Sequence, residues 1–137
     1  MRNVNRSMTA AVLVAGLLAT AGCRKSAAEL SRSGDAYAAQ KRYQEAIIEY
    51  RSALQKNPKI GETRLKLAKV YAEAGDGGNA AREYVRAADL LPHDTAAQMK
   101  AAQYLYLSHE FADARSRAER VLAQDPKNVE AQILKAN

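Results

Sequence analysis

The chain has 137 residues, with 21 Lys and Arg against 15 Asp and Glu, a net charge of +6 and a single cysteine. That length allows one domain of ordinary size, and one cysteine excludes an internal disulfide framework and a Cys-based zinc cluster. Alanine dominates the 47% apolar fraction, β-branched residues are few and Trp is absent, so the composition points to helices and away from a β-rich fold.

The first segment reads as an address. Arg2 and Arg6 give a positive start, and residues 9–21 run without a charge. Spanning a bilayer takes about 20 apolar residues, so this run is too short for a transmembrane helix and fits a secretory signal peptide. The run Leu17-Leu18-Ala19-Thr20-Ala21-Gly22-Cys23 resembles the lipobox of bacterial lipoproteins, with Thr20 where Leu is commoner. The resemblance implies that Cys23 receives a diacylglycerol and that the peptide bond before it is cleaved. It also implies a lipid-anchored protein of the bacterial cell envelope. Arg24, rather than Asp, after the cysteine favours the outer membrane, facing the periplasm. Removing residues 1–22 leaves a net charge of +4 of mixed sign, which makes no case for nucleic acid as a partner.

After a short tether, residues 23–26, a fixed period begins. Pro58, Pro92 and Pro126 are spaced by 34 residues. Gly34, Ala68 and Ala102 fall in the same register, as do Ala46, Ala80 and Ala114. Tyr37 and Tyr71 match, followed by Leu105; Tyr50 and Tyr84 match, followed by Ala118. Ala53 and Ala87 match, followed by Val121. The sets preserve size as well as polarity, which marks a true internal repeat.

Each unit reads as two helices. Leu30, Ser33, Gly34 and Tyr37 share one helical face; Ala46, Ile47, Tyr50, Ala53 and Leu54 share another. Turns are expected near Lys41-Arg42, at Gly75-Asp76-Gly77-Gly78 and near His109-Glu110. Gly75 suits a left-handed helix end, and Asp76, Asp94 and Asn128 sit where helix N-caps are needed. The small residues let paired helices approach closely while the tyrosines fill the wider gaps. A two-helix unit cannot bury its apolar face alone, so neighbouring units must stack.

This pattern resembles the tetratricopeptide repeat. It is carried by Leu30, Gly34, Tyr37, Ala46, Tyr50, Ala53 and Pro58, by Leu67, Ala68, Tyr71, Ala80, Tyr84, Ala87 and Pro92, and by Ala102, Ala114 and Pro126. Leu105, Ala118 and Val121 depart from it. The resemblance implies an all-α fold, a right-handed superhelical solenoid of antiparallel helix pairs. Its units are residues 27–60, 61–94 and 95–128, with 129–137 beginning a fourth. No capping helix follows, so the chain is expected to be the N-terminal piece of a longer array, or of an enzyme whose functional domain lies after residue 137.

Motifs for chemistry are missing from the sequence. His93 and His109 fall in turns without metal-ligand spacing, and no nucleophile elbow or phosphate loop occurs. Glu45, Glu49 and Glu83 read as solvated helix faces. The expectation is a non-enzymatic protein-interaction scaffold without metal or cofactor. In the tetratricopeptide family the first helix of each unit lines the concave face. That resemblance places Ser31, Asp35 and Ala38 there in unit one and Leu65, Lys66, Lys69 and Glu73 in unit two. Unit three contributes Met99, Lys100, Gln103 and Tyr106, and Ile133 extends the surface. The expected peptide site is Leu65, Lys66, Lys69, Met99, Lys100, Gln103 and Tyr106, with Tyr106 as anchor. Apolar anchors beside cations suit a protein or peptide segment carrying acidic groups. The Lys/Asn/Arg clamp by which some family members hold a chaperone C-terminus is lacking. Bacterial lipoproteins of this build resemble assembly factors for outer-membrane proteins, pili or exopolysaccharide export.

Overall fold

The structure, a computed structural model, describes residues 24–136; Cys23 and the segment before it lie outside the described residues. Among these residues there are seven α-helices and no strand: α1 (Ala27–Ala39), α2 (Tyr43–Lys56), α3 (Gly61–Glu73), α4 (Gly77–Leu90), α5 (Thr95–Leu107), α6 (Phe111–Gln124) and α7 (Val129–Ala136). The first helices begin at residues 27, 61, 95 and 129, and the second helices at 43, 77 and 111, so the 34-residue period of the sequence is the period of the fold. Each helix packs on its chain neighbour, and α1 meets α3 while α5 meets α7. The result is a solenoid of antiparallel helix pairs.

Local sequence sets the helix ends. Ser26 caps α1 through a capping box: its Oγ accepts from the Glu29 amide at 3.2 Å, and the Glu29 carboxylate accepts from the Ser26 amide at 2.7 Å. Asp76, Asp94 and Asn128 accept from the amides of Asn79, Ala97 and Ala131 at 3.0, 2.9 and 3.0 Å. The three turns within units share one geometry. Lys41, Gly75 and His109 have φ of 58°, 81° and 64°. The residue after each returns its amide to the carbonyl of Tyr37, Tyr71 or Leu105 at 2.9–3.0 Å, the closing bond of a Schellman turn. Only Gly75 adopts this left-handed conformation without the steric cost of a Cβ.

The core follows the repeat register. Ala46, Ala80 and Ala114 are fully buried, as are Ala68 and Ala102. Gly34 lies under the ring of Tyr50, and a Cβ there would come within 2.6 Å of Tyr50 Cε1. Tyr50 is buried, and its hydroxyl donates to Asp35 Oδ1 at 2.7 Å. One main cluster, built on Ile47, Tyr50, Leu54, Leu67, Tyr71 and Tyr84, joins units one and two. A smaller one, Met99, Ala118, Val121 and Ala131, joins α5, α6 and α7.

Polar groups are buried between these clusters, and here the sequence expectation fails. Glu83 is not a solvated carboxylate: it is buried, and it accepts from Arg64 at 2.8 Å and from Arg86 at 2.7 Å. One period later, Arg117 donates to Gln98 Oε1 at 3.2 Å and to Asp89 at 2.7 Å. Gln98, fully buried, donates in turn to the carbonyl of Ala88 at 2.6 Å. One period earlier the corresponding pair is Leu30 and Glu49. The Leu30 side chain cannot donate a hydrogen bond, and Glu49 instead faces Lys25 Nζ at 3.8 Å. Lys56 Nζ donates to the Lys25 carbonyl, which fastens residues 24–26 to the end of α2.

Candidate functional site

The first helices α1, α3 and α5 expose one continuous trough. Its larger segment, about 650 Å³, lies between α3 and α5. Leu65, Ala72, Ala96, Tyr84 and Tyr104 form its floor and walls, with Lys66, Lys69, Lys100 and Glu73 around them. Tyr104 stacks on Tyr84 with ring centroids 4.9 Å apart and planes 24° from parallel. Burial, and then the neighbouring Tyr104 and Glu73, push the Tyr84 phenol up to about 12, so it stays neutral at physiological pH.

The smaller segment, about 490 Å³, lies between α1 and α3 and shares Lys66, Lys69 and Glu73 with the larger. Asp35, Ala38, Ala39, Lys41, Tyr43, Tyr50 and Val70 complete it. Four of its charges pair off, and the Lys41 side chain has no partner among the described residues. Lys66 meets Asp35 at 2.8 Å, and Lys69 lies 3.9 Å from Glu73. Burial and then the Glu73 carboxylate raise the Tyr43 phenol above its usual range. The Tyr50 phenol is raised too, by burial and then by its bond to Asp35.

The α3–α5 segment differs in its apolar floor of Leu65, Ala72, Ala96 and the stacked Tyr84 and Tyr104. Lys100 has no anionic partner among the described residues and donates only to Gln103 Oε1 at 3.2 Å. An apolar, aromatic floor with Lys100 uncommitted to any carboxylate at its margin can bury an apolar side chain and attract a carboxylate beside it. No group of three or more His, Cys, Asp or Glu among the described residues is arranged to hold a metal ion.

The sequence-predicted residues divide. Leu65, Lys66, Lys69 and Lys100 line the trough. Gln103 bridges Lys100 to Glu130 of α7, the latter at 3.1 Å. Met99 does not belong to the open face: it is buried against Ala118, Val121 and Ala131. The reason is register. Residues 31, 65 and 99 occupy equivalent places, and these are where neighbouring first helices meet. Ser31 is buried with its hydroxyl 3.1 Å from that of Thr63, and Leu65 packs by one side on the cluster containing Ala97 and Ala101. Tyr106 lies outside the larger segment and sets its ring edge-on to Phe111, 5.1 Å between centroids. The aromatic residue of the floor is Tyr104, which the sequence reading missed. Its signal was present: it follows Lys100 by one helical turn, and its equivalent Val70 lines the smaller segment.

Fold and trough define a helical-repeat solenoid with an open face on its first helices. Two family models, described as "TPR repeat" and "Tetratricopeptide repeat", match residues 34–75 and 65–128, and the chain is a tetratricopeptide-repeat protein. No curated protein sequence matches it significantly. Among solved structures, it resembles the first TPR of Spaghetti (RPAP3) bound to an HSP90 peptide, SRMEEVD. That match has 24% identity and a TM-score of 0.65, and covers 80% of this chain and 87% of that one. YrrB, a TPR protein with an unusual peptide-binding site, matches with 24% identity and a TM-score of 0.70 over 80% of this chain and 56% of that one. The Sgt2 TPR domain from Aspergillus fumigatus matches with 20% identity and a TM-score of 0.62, over 80% and 74%. At these identities the likeness is one of fold.

Proposed function

We propose that this protein is a non-enzymatic scaffold whose α3–α5 trough receives a segment of another protein. That segment carries an apolar or aromatic side chain flanked by carboxylates. The observation that carries the reading is the composition of the trough: the Tyr84–Tyr104 stack, Leu65, Ala72 and Ala96, with Lys100 beside them lacking an anionic partner among the described residues while Lys66 and Lys69 meet Asp35 and Glu73. The same reading takes Cys23 as a lipid attachment point and the bacterial cell envelope as the location, with the outer membrane favoured. It assigns a role in assembling envelope machinery for outer-membrane proteins, pili or exopolysaccharide export. Its support is the run ending in Gly22-Cys23 and the three residues between that cysteine and α1. Two of the structural relatives are described with peptides or a peptide site, which agrees with the use of the trough.

Fluorescence anisotropy with a peptide set tests the trough. Peptides with a central Phe or Leu flanked by Asp and Glu should bind at least about tenfold more tightly than their Lys-flanked counterparts, a difference of about 1.4 kcal/mol. Tyr104→Ala or Lys100→Glu should abolish the preference, because few interface residues dominate binding and aromatic ones are frequent among them. Equal binding of both sets, or an unchanged Tyr104→Ala variant, rejects the trough as the site. The anchor is tested separately, by the mass of the N-terminal peptide from the membrane fraction and by its change in Cys23→Ser.

A further inference from the structure

The end of the solenoid where α1 begins and α2 ends carries a group of cations drawn from two chain segments. Arg24 and Lys25 come from the tether; Lys56 and Lys59 come from the end of α2 and the following turn. The Lys56 bond to the Lys25 carbonyl brings the two segments together. The side chains of Arg24 and Lys59 have no partner among the described residues, and Lys25 has only the 3.8 Å approach to Glu49. The acidic residues of this end are Glu29, Glu49 and Glu62; Glu29 is engaged in the capping box of α1 and Glu49 lies 3.8 Å from Lys25.

Further along the same edge the balance reverses. The α4–α5 turn offers His93 against Asp94, with Asp89 paired to Arg117, and the α6–α7 turn offers Lys127 against Asp125 and Glu130. The cationic surface is therefore confined to unit one. It also adjoins the chain outside the structure: three residues separate Cys23 from α1, a reach of about 14 Å even fully extended, and Arg24 and Lys25 follow Cys23 within about 7 Å. That distance is close to the Debye length of about 8 Å at physiological salt, so these cations stay within range of headgroup charges at any surface that holds residue 23.

We propose that this end of unit one is a docking surface for anionic lipid headgroups. It sets the solenoid on the membrane by the α1-start and α2-end edge of its first unit, with units two and three raised from it. The proposal rests on the lipid-anchor reading above. Lys25, held between Glu49 and Lys56, makes the tether part of the surface rather than a free leash.

The test uses the full acylated chain in phosphatidylglycerol–phosphatidylcholine vesicles containing a nitroxide-labelled lipid. With Cys23 blocked by its lipid, a single fluorophore can be placed at Gln55→Cys, Gln44→Cys or Ala123→Cys, all exposed. Gln55 and Gln44 lie at opposite ends of α2, about 16 Å apart at 1.5 Å per residue. Ala123 is the equivalent of Gln55 two units on. Quenching should be several-fold stronger at Gln55→Cys than at either other site. Arg24→Glu with Lys59→Glu, or vesicles of phosphatidylcholine alone, should level the three signals while the protein still sediments with the vesicles. Equal quenching at Gln55→Cys and Gln44→Cys in the anionic vesicles, with the protein still sedimenting, overturns the docking surface and leaves the anchor standing. A chain that carries no lipid and does not sediment overturns the anchor and this proposal together.

Discussion

Gly34→Ala sets two known effects against each other, and the structure decides the sign. Alanine in place of a mid-helix glycine gains about 0.5–1 kcal/mol from the reduced entropy of the unfolded chain. The new Cβ would sit 2.6 Å from Tyr50 Cε1, 2.7 Å from Cδ1 and 3.0 Å from Cζ. Carbon contacts are comfortable at about 3.5–4.0 Å, so the ring must retreat by about 1 Å. Tyr50 is only 2% exposed, and its hydroxyl is committed to Asp35 at 2.7 Å. Overpacking of this kind costs about 1–3 kcal/mol. Loosening a hydrogen bond to a carboxylate adds about 1.5–3 kcal/mol if the ring swings away. The net expectation is a loss of about 1 kcal/mol if the hydrogen bond survives and about 3.5 kcal/mol if it does not, which for a domain of this size lowers the melting temperature by about 4 °C or more. Urea titration and thermal melts followed by circular dichroism read it directly. The control is the same substitution in a Tyr50→Ala background, which reproduces the Ala102 and Ala118 combination of unit three. There Gly34→Ala should stabilise by about 0.5–1 kcal/mol. A higher melting temperature for Gly34→Ala alone, or the same loss in both backgrounds, refutes the argument.

Three further outcomes follow from the turns and the tyrosines. Gly77 opens α4 where the other units have Tyr43 and Phe111; a Cβ there meets nothing within 4 Å and its φ is not left-handed. Gly77→Tyr should therefore raise the melting temperature, by about 0.5–1 kcal/mol from the lost glycine freedom, and a lower value would contradict the open geometry. Lys41→Gly and His109→Gly should each stabilise by about 1 kcal/mol by relieving a left-handed backbone, whereas Gly75→Ala should cost a similar amount; denaturant midpoints check all three. Because the folded-state value of Tyr84 is raised from 10.0 to about 12, its contribution is complete below pH 10 and is lost as the pH rises from 10 towards 12. Melts across that window should show a falling midpoint that is shallower in Tyr84→Phe.

The periodic features of the fold were legible because they are properties of one unit. The prolines and the small-residue positions fix where helices end and which faces meet within a pair. Asp76, Asp94 and Asn128 announce the caps that the structure shows. The capping box at Ser26 was equally readable from Ser26 and Glu29 and was overlooked. The trough is a property of adjacent units, and a repeat tells which residues are equivalent without telling how far one first helix slides against the next. Residue 99 therefore passed for an exposed position, although its equivalents Ser31 and Leu65 already lie against the neighbouring first helix. Tyr84 was assigned wholly to packing, yet one side of its ring belongs to the trough floor. Glu83 failed for the same reason, since its partner Arg64 comes from another helix and no spacing rule within α4 reveals it.

The buried pairs between first and second helices have a consequence for assembly of the chain itself. Backbone geometry repeats so closely that any second helix offers a plausible seat for any first helix. The polar pairs are keyed differently at each level: Arg64 with Glu83 and Gln98 with Arg117, while at the first level Leu30 offers no polar side chain and Glu49 faces Lys25. A first helix seated one level too far along would bring Arg64 against Arg117, two guanidinium groups of like charge. Seated one level too early, it would set Arg64 against Glu49 and Gln98 against Glu83, contacts that are not repulsive. Chains built from near-identical units are prone to misassembly and to exchange of units between copies. These pairs oppose a slip in one direction, in which like charges would meet, and so bias a repetitive backbone towards its own order.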